Sequence, residues 1–175
     1  MRRAATTAAM ILVAFTLAGC AVAVPMQPAA DAVNPDCAEI IVRLPDAIDG
    51  HDQRETDAQA TGAWGDPAVI LLRCGVEVPG PSTQRCVSID GIDWLVDDSD
   101  PDRGVFTTYG RDPAVQVVVD HVTSDSNALN ALSNAVGSAP VSGACTTSED
   151  ASTGGELVVP GQPLPSPSPS PSPSP

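Results

Sequence analysis

Two stretches of the chain place apolar residues at helical spacing. Asn34-Pro35 supplies an N-cap followed by proline at the first helical position. The apolar stripe behind it is Cys37, Ile40, Ile41 and Leu44. Asp125 is the candidate N-cap of a second stripe, which consists of Ala128, Leu129, Leu132, Ala135 and Val136. We predict a short N-terminal helix ended by Pro45 and a C-terminal helix ended by Gly137.

The chain between these helices is strand-like from Pro67 onward. Apolar or alternating runs cover Ala68–Arg73, Cys86–Ile89, Asp93–Asp97, Val105–Tyr109 and Ala114–Val122. The polar stretch 46–62 shows neither period, and no structure is assigned to it. These elements predict an α+β domain over residues 34–147: a small antiparallel sheet of four or five strands, covered by the short N-terminal and the C-terminal helix.

Two local patterns add detail to this sheet. Asp90-Gly91 is a tight-turn dipeptide, and a two-residue hairpin would place Ile89 opposite Ile92 and Val87 opposite Trp94. A bulge in one longer strand is the alternative. In addition, an aromatic residue, glycine and Asp-Pro precede a strand twice, at Trp64–Val69 and Tyr109–Val115. A shared turn type explains this repeat, and a duplicated binding loop is the alternative.

The two ends of the chain have a different composition. Residues 1–19 combine a basic start, Arg2-Arg3, with a ten-residue apolar run, which is typical of a signal peptide. Leu17-Ala18-Gly19-Cys20 matches a bacterial lipobox, so we expect a lipid anchor on Cys20. Cleavage after Ala23 would instead release a secreted chain. Residues 20–33 then form an Ala/Pro spacer, and residues 148–175 a disordered tail with a Pro/Ser repeat.

Charge excludes one class of partner. The formal net charge is −14, all eight basic residues are arginine, and signal-peptide removal would discard two of them. Such a chain repels phosphate backbones, so we expect no nucleic-acid partner. The expected partners are the membrane, reached through the lipid, and a cell-wall or envelope protein.

The cysteines also suggest an exported protein. Apart from Cys20, four remain, and an even number outside the cytoplasm indicates two disulfides. Three pairings are possible. Cys74 and Cys86 enclose a turn-rich loop between strand-like runs, which favours Cys74–Cys86 and leaves Cys37–Cys145 to join the ends of the domain.

Several short motifs resemble an actinobacterial envelope family, often lipidated, that is catalogued as domain of unknown function 3515. The motifs, spread over about residues 35–119, are Leu44-Pro45-Asp46, Arg54-Glu55-Thr56, Ala63–Pro67, Leu72–Gly75, Asp93–Val96 and Tyr109–Val115. The resemblance implies an exported protein and carries over no catalytic residue.

The sequence offers few residues that could form a catalytic site. The sequence contains neither a G-x-S-x-G turn nor any lysine for a Ser-x-x-Lys pair. His51, beside Asp52 and near Glu55, is one candidate for acid–base chemistry, and His121 at a strand end is expected to be structural. We therefore expect no enzyme and no cofactor. A small wall-modifying hydrolase is the alternative.

Two binding hypotheses remain. Asp98, Asp100 and Asp102 alternate as in a calcium loop, but Arg103 and Tyr109 stand where such a loop has glycine and glutamate. These positions are weak calcium candidates, and no other metal site is predicted. Trp64, Tyr109, Arg73 and Arg111 could line a ligand pocket, although the aromatic residues could equally fill the core. The leading hypothesis is a lipid-anchored, non-enzymatic binding or scaffolding module on the outer face of the cell membrane.

Overall fold

The computed structural model describes residues 22–146, and in that part of the chain the sheet dominates the fold. Eight antiparallel strands form one sheet in the order β1-β2-β3-β4-β8-β7-β6-β5. The strands are β1 (Ala47–Ile48), β2 (His51–Arg54), β3 (Thr61–Trp64), β4 (Ile70–Val76), β5 (Cys86–Ile89), β6 (Ile92–Asp100), β7 (Arg103–Thr108) and β8 (Ala114–Asp120). Two short helices, α1 (Pro35–Ile41) and α2 (Asp125–Val136), complete the fold. The predicted α+β domain with four or five strands is therefore wrong.

Of the additional strands, β1 and β2 lie in the polar stretch 46–62, which shows neither period, and β3 begins at its end. β1 and β2 are joined by Asp49-Gly50, with both residues at positive φ, so a second Asp-Gly hairpin was readable in the sequence. β3 shows no alternation of apolar and polar residues, because all four of its residues are buried.

Local predictions elsewhere are confirmed, except that α1 ends at Ile41 rather than at Pro45 and that α2 has a different N-cap. Asn34 caps α1 and accepts a hydrogen bond from the backbone of Asp36, while Ser124, rather than Asp125, caps α2. The Asp90-Gly91 hairpin has the predicted register, with Ile89 opposite Ile92 and Val87 opposite Trp94. All five residues of the C-terminal apolar stripe are buried.

One face of the sheet forms the core. Alternate residues of β4 and β8 point inward, so that Ile70 pairs with Val119 and Leu72 with Val117. α2 packs across β8, β5 and β1, and α1 packs on β4 and α2. Trp64 and Trp94 are both fully buried in this core. No helix in the described part of the chain is long and apolar enough to cross a bilayer.

The disulfide pairing differs from the prediction. Cys37 of α1 is bonded to Cys74 of β4, and Cys86 of β5 to Cys145, with Cα–Cα distances of 5.6 and 6.0 Å. The predicted Cys37–Cys145 and Cys74–Cys86 pairs are wrong because β4 and β5, although consecutive in sequence, are separated by β8, β7 and β6. At about 4.8 Å per strand step, two cysteines so placed cannot approach bonding distance.

The repeated Asp-Pro turn also has a clear structural role. Gly65 and Gly110 both have positive φ, and both following Asp-Pro peptide bonds are cis. The strands entered after these turns, β4 and β8, are hydrogen-bonded neighbours. The repeat is a shared entry turn into the centre of the sheet.

Candidate functional site

The predicted ligand pocket does not form. Trp64 is fully buried, and its indole Nε1 donates to the carbonyl oxygen of Pro45 at 2.9 Å. Arg73 donates to the side chain of Gln116 on the other face of the sheet. Arg111 and Arg73 line two different surface depressions, so these residues and Tyr109 do not converge on one ligand.

Arg111 is instead a buried structural cation. Its guanidinium donates to the carbonyl oxygen of Ala139 at 2.8 Å and, more weakly, to those of Gly137 and Gly91, each at 3.4 Å. Two of these carbonyls follow the C-terminus of α2, where a positive charge is favoured by the helix dipole. Arg111 therefore ties the end of α2 to the β5–β6 turn.

The acidic hairpin between β6 and β7 uses its carboxylates locally. Asp98 forms an ion pair with Arg85 at 2.8 Å, and Asp100 Oδ1 accepts from the backbone nitrogen of Asp102 at 2.9 Å. Hydrogen bonds from Ser99 lower the pKa of Asp97. Among residues 22–146, no three His, Cys, Asp or Glu side chains are grouped to hold a metal ion.

Among residues 22–146, the two histidines do not form a catalytic set with a nucleophile. His51 lies on β2, and His121 follows β8, with its Nε2 3.9 Å from Asp125 Oδ2. Within the described residues neither imidazole is hydrogen-bonded to a serine, threonine or cysteine side chain. The arrangement therefore lacks the nucleophile–base contact that acyl transfer requires.

A different pocket lies between the β5 edge of the sheet and α2, and we call it the β5–α2 pocket. Its floor is apolar and its volume is about 270 Å³. The floor consists of Val87, Val96, Phe106 and Leu129. This size is near the lower limit for small-molecule sites, so the pocket would fit a compact ligand group.

The rim of the β5–α2 pocket is charged. Arg85, Asp98, His121 and Asp125 lie around the opening, and Arg85 and Asp98 neutralise each other. Among residues 22–146, the basic side chain within 4 Å of the Asp125 carboxylate is His121, 3.9 Å from Oδ2, while the Oδ1 atom is buried without a hydrogen-bond partner. A carboxylate with an unpartnered oxygen beside an apolar floor suits a ligand with a cationic group on an apolar body. No local sequence pattern indicates this site, because its residues come from β5, β6, β7, the end of β8 and α2.

Asp49 helps to position the first turn of α2 beside this pocket. Its carboxylate accepts hydrogen bonds from Thr123 Oγ1 at 2.8 Å and from Asn127 Nδ2 at 3.3 Å. These bonds, that from Thr123 first, lower the pKa of Asp49. The β1–β2 turn is thereby joined to the start of α2.

Residues 22–33, which we call the N-terminal strap, belong to the folded domain and do not form a free spacer. The strap crosses the outer face of β4 and β8, where Pro25, Met26 and Gln27 border the same surface depression as Leu71 and Val118. Three of its backbone nitrogens donate hydrogen bonds to the domain: Val24 N to Glu55 O (2.8 Å), Met26 N to Asp57 Oδ1 (2.7 Å) and Asp31 N to Gly75 O (2.9 Å). The domain thus begins about a dozen residues earlier than the sequence suggested. Residues 1–21, with Cys20 and the predicted signal peptide, and the tail from residue 147 lie outside the described residues.

Comparison with known proteins identifies the family and nothing beyond it. No curated protein and no solved structure is significantly similar to the chain. The model of a family described as "Protein of unknown function (DUF3515)" matches residues 4–143. The chain therefore belongs to the DUF3515 family.

Proposed function

We propose that this protein is an exported binding module, held by lipid on Cys20 at the outer face of the cytoplasmic membrane. The observation that carries the proposal is the pair of disulfides, which uses all four cysteines of the described domain. Disulfides persist in oxidising compartments, and the lipobox supplies the anchor.

Intact mass of the native protein extracted from membranes, with and without reduction, tests this location. We expect a diacylglyceryl-modified chain that begins at Cys20 and gains about four hydrogens on reduction, since two disulfides open. A chain that begins near Val24 and carries no lipid would overturn the membrane anchor. Free thiols before reduction would contradict the oxidising location.

The β5–α2 pocket is the proposed binding surface, and its ligand is a small molecule with an apolar body and a cationic group. This chemistry follows from the apolar floor and the unpaired Asp125 carboxylate. The absence of an assembled nucleophile–base pair among residues 22–146 supports binding over catalysis.

An NMR titration of the full chain with benzylammonium as the probe tests the pocket. We expect millimolar binding, with chemical-shift changes at Phe106 and Leu129, and at least about tenfold weaker binding by Asp125→Asn, since one charged contact contributes about 1.4 kcal/mol or more. Asp102→Asn on the exposed hairpin is the matched control and should bind as the wild type does. No shift at the pocket residues, or equal loss in both variants, would refute this assignment.

A further inference from the structure

The folded domain begins almost directly after the proposed lipid site. Val22 is the first described residue, and its carbonyl oxygen accepts a hydrogen bond from Arg54 Nη2 at 3.1 Å. Two peptide units separate the Cα atoms of Cys20 and Val22, so they lie at most about 7 Å apart. A lipid on Cys20 would therefore leave no length for a flexible stalk.

Arg54 holds this end of the chain in place. Its Nη1 donates to the carbonyl oxygen of Gly65 at 3.2 Å and lies 3.0 Å from Asp66 Oδ1, while Nη2 binds Val22. The arginine side chain is only 21% exposed, so most of its length is packed and its fork has limited freedom. Arg54 thus joins the start of the domain to the β3–β4 turn.

Two further contacts continue this attachment along the strap. Val24 exchanges backbone hydrogen bonds with Glu55 and Asp57 on either side of Thr56, in a short parallel bridge. The segment from Val22 to Val24 is held at one end by Arg54 and at the other by this bridge. It cannot move away from the domain without breaking at least one of these hydrogen bonds. The position of Val22, from which the chain continues towards Cys20, is therefore set by the fold.

From this geometry we infer that the domain rests on the lipid headgroups in one orientation, with the surface formed by Val22, Arg54 and Asp66, the Arg54 corner, facing the membrane. The inference rests on the proposed lipid anchor. Val22 is 80% exposed and Asp66 85% exposed, so the corner is open for contact. Because the chain is strongly acidic, the covalent tether rather than charge attraction holds it to the lipid.

The orientation distinguishes the two ends of the sheet. Asp66 follows β3, at the end of the sheet where Trp64 pairs with Ile70 and Ile70 with Val119. The β4–β5 loop, which contains the exposed Thr83, leaves the opposite end of β4. The membrane would therefore lie close to the end of the sheet that carries Asp66 and away from the end that carries Thr83.

Energy transfer to headgroup-labelled lipid tests this orientation. Asp52 is exposed, and its carbonyl oxygen accepts from Gly65 N at 3.0 Å, so it marks the Arg54 corner, while Thr83 is the matched control. Each is replaced in turn by an azide-bearing amino acid, to which a donor fluorophore is attached. The mature full chain is coupled through Cys20 to a maleimide lipid in phosphatidylcholine vesicles.

We expect transfer about twofold higher from position 52 than from position 83, because the seven residues of β4 span about 24 Å between the two ends. Insertion of ten Gly/Ser residues between Ala21 and Val22 should abolish the difference, since such a linker has a root-mean-square length of about 17 Å. Equal transfer from the two positions without the linker, or higher transfer from position 83, would overturn the orientation.

The chemical coupling separates this inference from the proposed anchor. The mass measurement on native membranes reports whether the cell lipidates Cys20, and its failure would refute the proposed function. The vesicle experiment reports only whether a lipid at position 20 orients the domain, so it can fail when lipidation is confirmed and succeed when it is not.

Discussion

Gly110, the glycine of the second Asp-Pro turn, has no room for a side chain. It has a φ of +67°, and an added Cβ would overlap the backbone carbonyl of Gly143 in the terminal segment. Its own carbonyl oxygen accepts from Ser142 N at 2.7 Å and from Gly143 N at 3.2 Å. Gly110→Ala must therefore strain the backbone and also displace the segment that leads to Cys145.

The loss of unfolding free energy caused by Gly110→Ala has two parts. An alanine in the left-handed region costs about 1 kcal/mol. Displacing the terminal segment weakens two hydrogen bonds, each contributing about 1 kcal/mol. Gly110→Ala should therefore lower the free energy of unfolding by about 3 kcal/mol, measured by urea denaturation of the oxidised Cys20→Ser chain.

Gly91→Ala is the matched control. Gly91 has a φ of +76°, but a Cβ there would meet no atom within 4 Å. This variant should lose only the backbone part, about 1 kcal/mol, so the two should differ by about 2 kcal/mol, or about 8 °C in Tm. Equal losses would refute the close packing of the terminal segment on Gly110.

Three further predictions follow from other contacts. Arg111→Met should cost about 3 kcal/mol in thermal or urea unfolding, because buried carbonyls lose a charged donor, whereas the exposed Arg43→Ala should cost less than about 0.5 kcal/mol. Peptide mapping without reduction should recover the two bridges seen here and not the alternative pairs, and removing either bridge should cost about 4 kcal/mol by loop entropy. Asp49→Ala should destabilise the domain at neutral pH. Because the folded-state pKa of Asp49 is lowered, this stability is present above the unfolded pKa and is lost as pH falls through the folded pKa, so wild type and variant should converge in acid. A pH-independent difference would contradict the role assigned to its ionised carboxylate.

Short-range features of the fold were readable in the sequence. The helices, the register of the Asp90-Gly91 hairpin and the five strands β4 to β8 depend on residues close together in the chain. The sequence does not reveal β1 to β3, because β1 has only two residues, β2 is polar and β3 is buried at every position, so none of them alternates over a readable length. The number of strands, and with it the fold class, was wrong for that reason.

The candidate site was much less predictable. Of the residues predicted to line a ligand pocket, Trp64 lies in the core and Arg111 is a buried structural cation, because a residue type does not reveal which face of a strand it occupies. The β5–α2 pocket collects residues from positions 85 to 129, and no local spacing indicates that they meet. Its unpaired carboxylate is visible only once the neighbours of Asp125 are known.

The sequence by itself determined the helices, the tight turns, the acidic character and the cysteine count, since caps, periodicity and charge act over a few residues. Only the tertiary structure decided the order of the strands, the disulfide partners and the docking of the N-terminal strap. Each of these depends on contacts between residues far apart in the chain. Insertion of β8 beside β4 is the physical reason why Cys74 and Cys86 are apart, although only twelve positions separate them in the sequence.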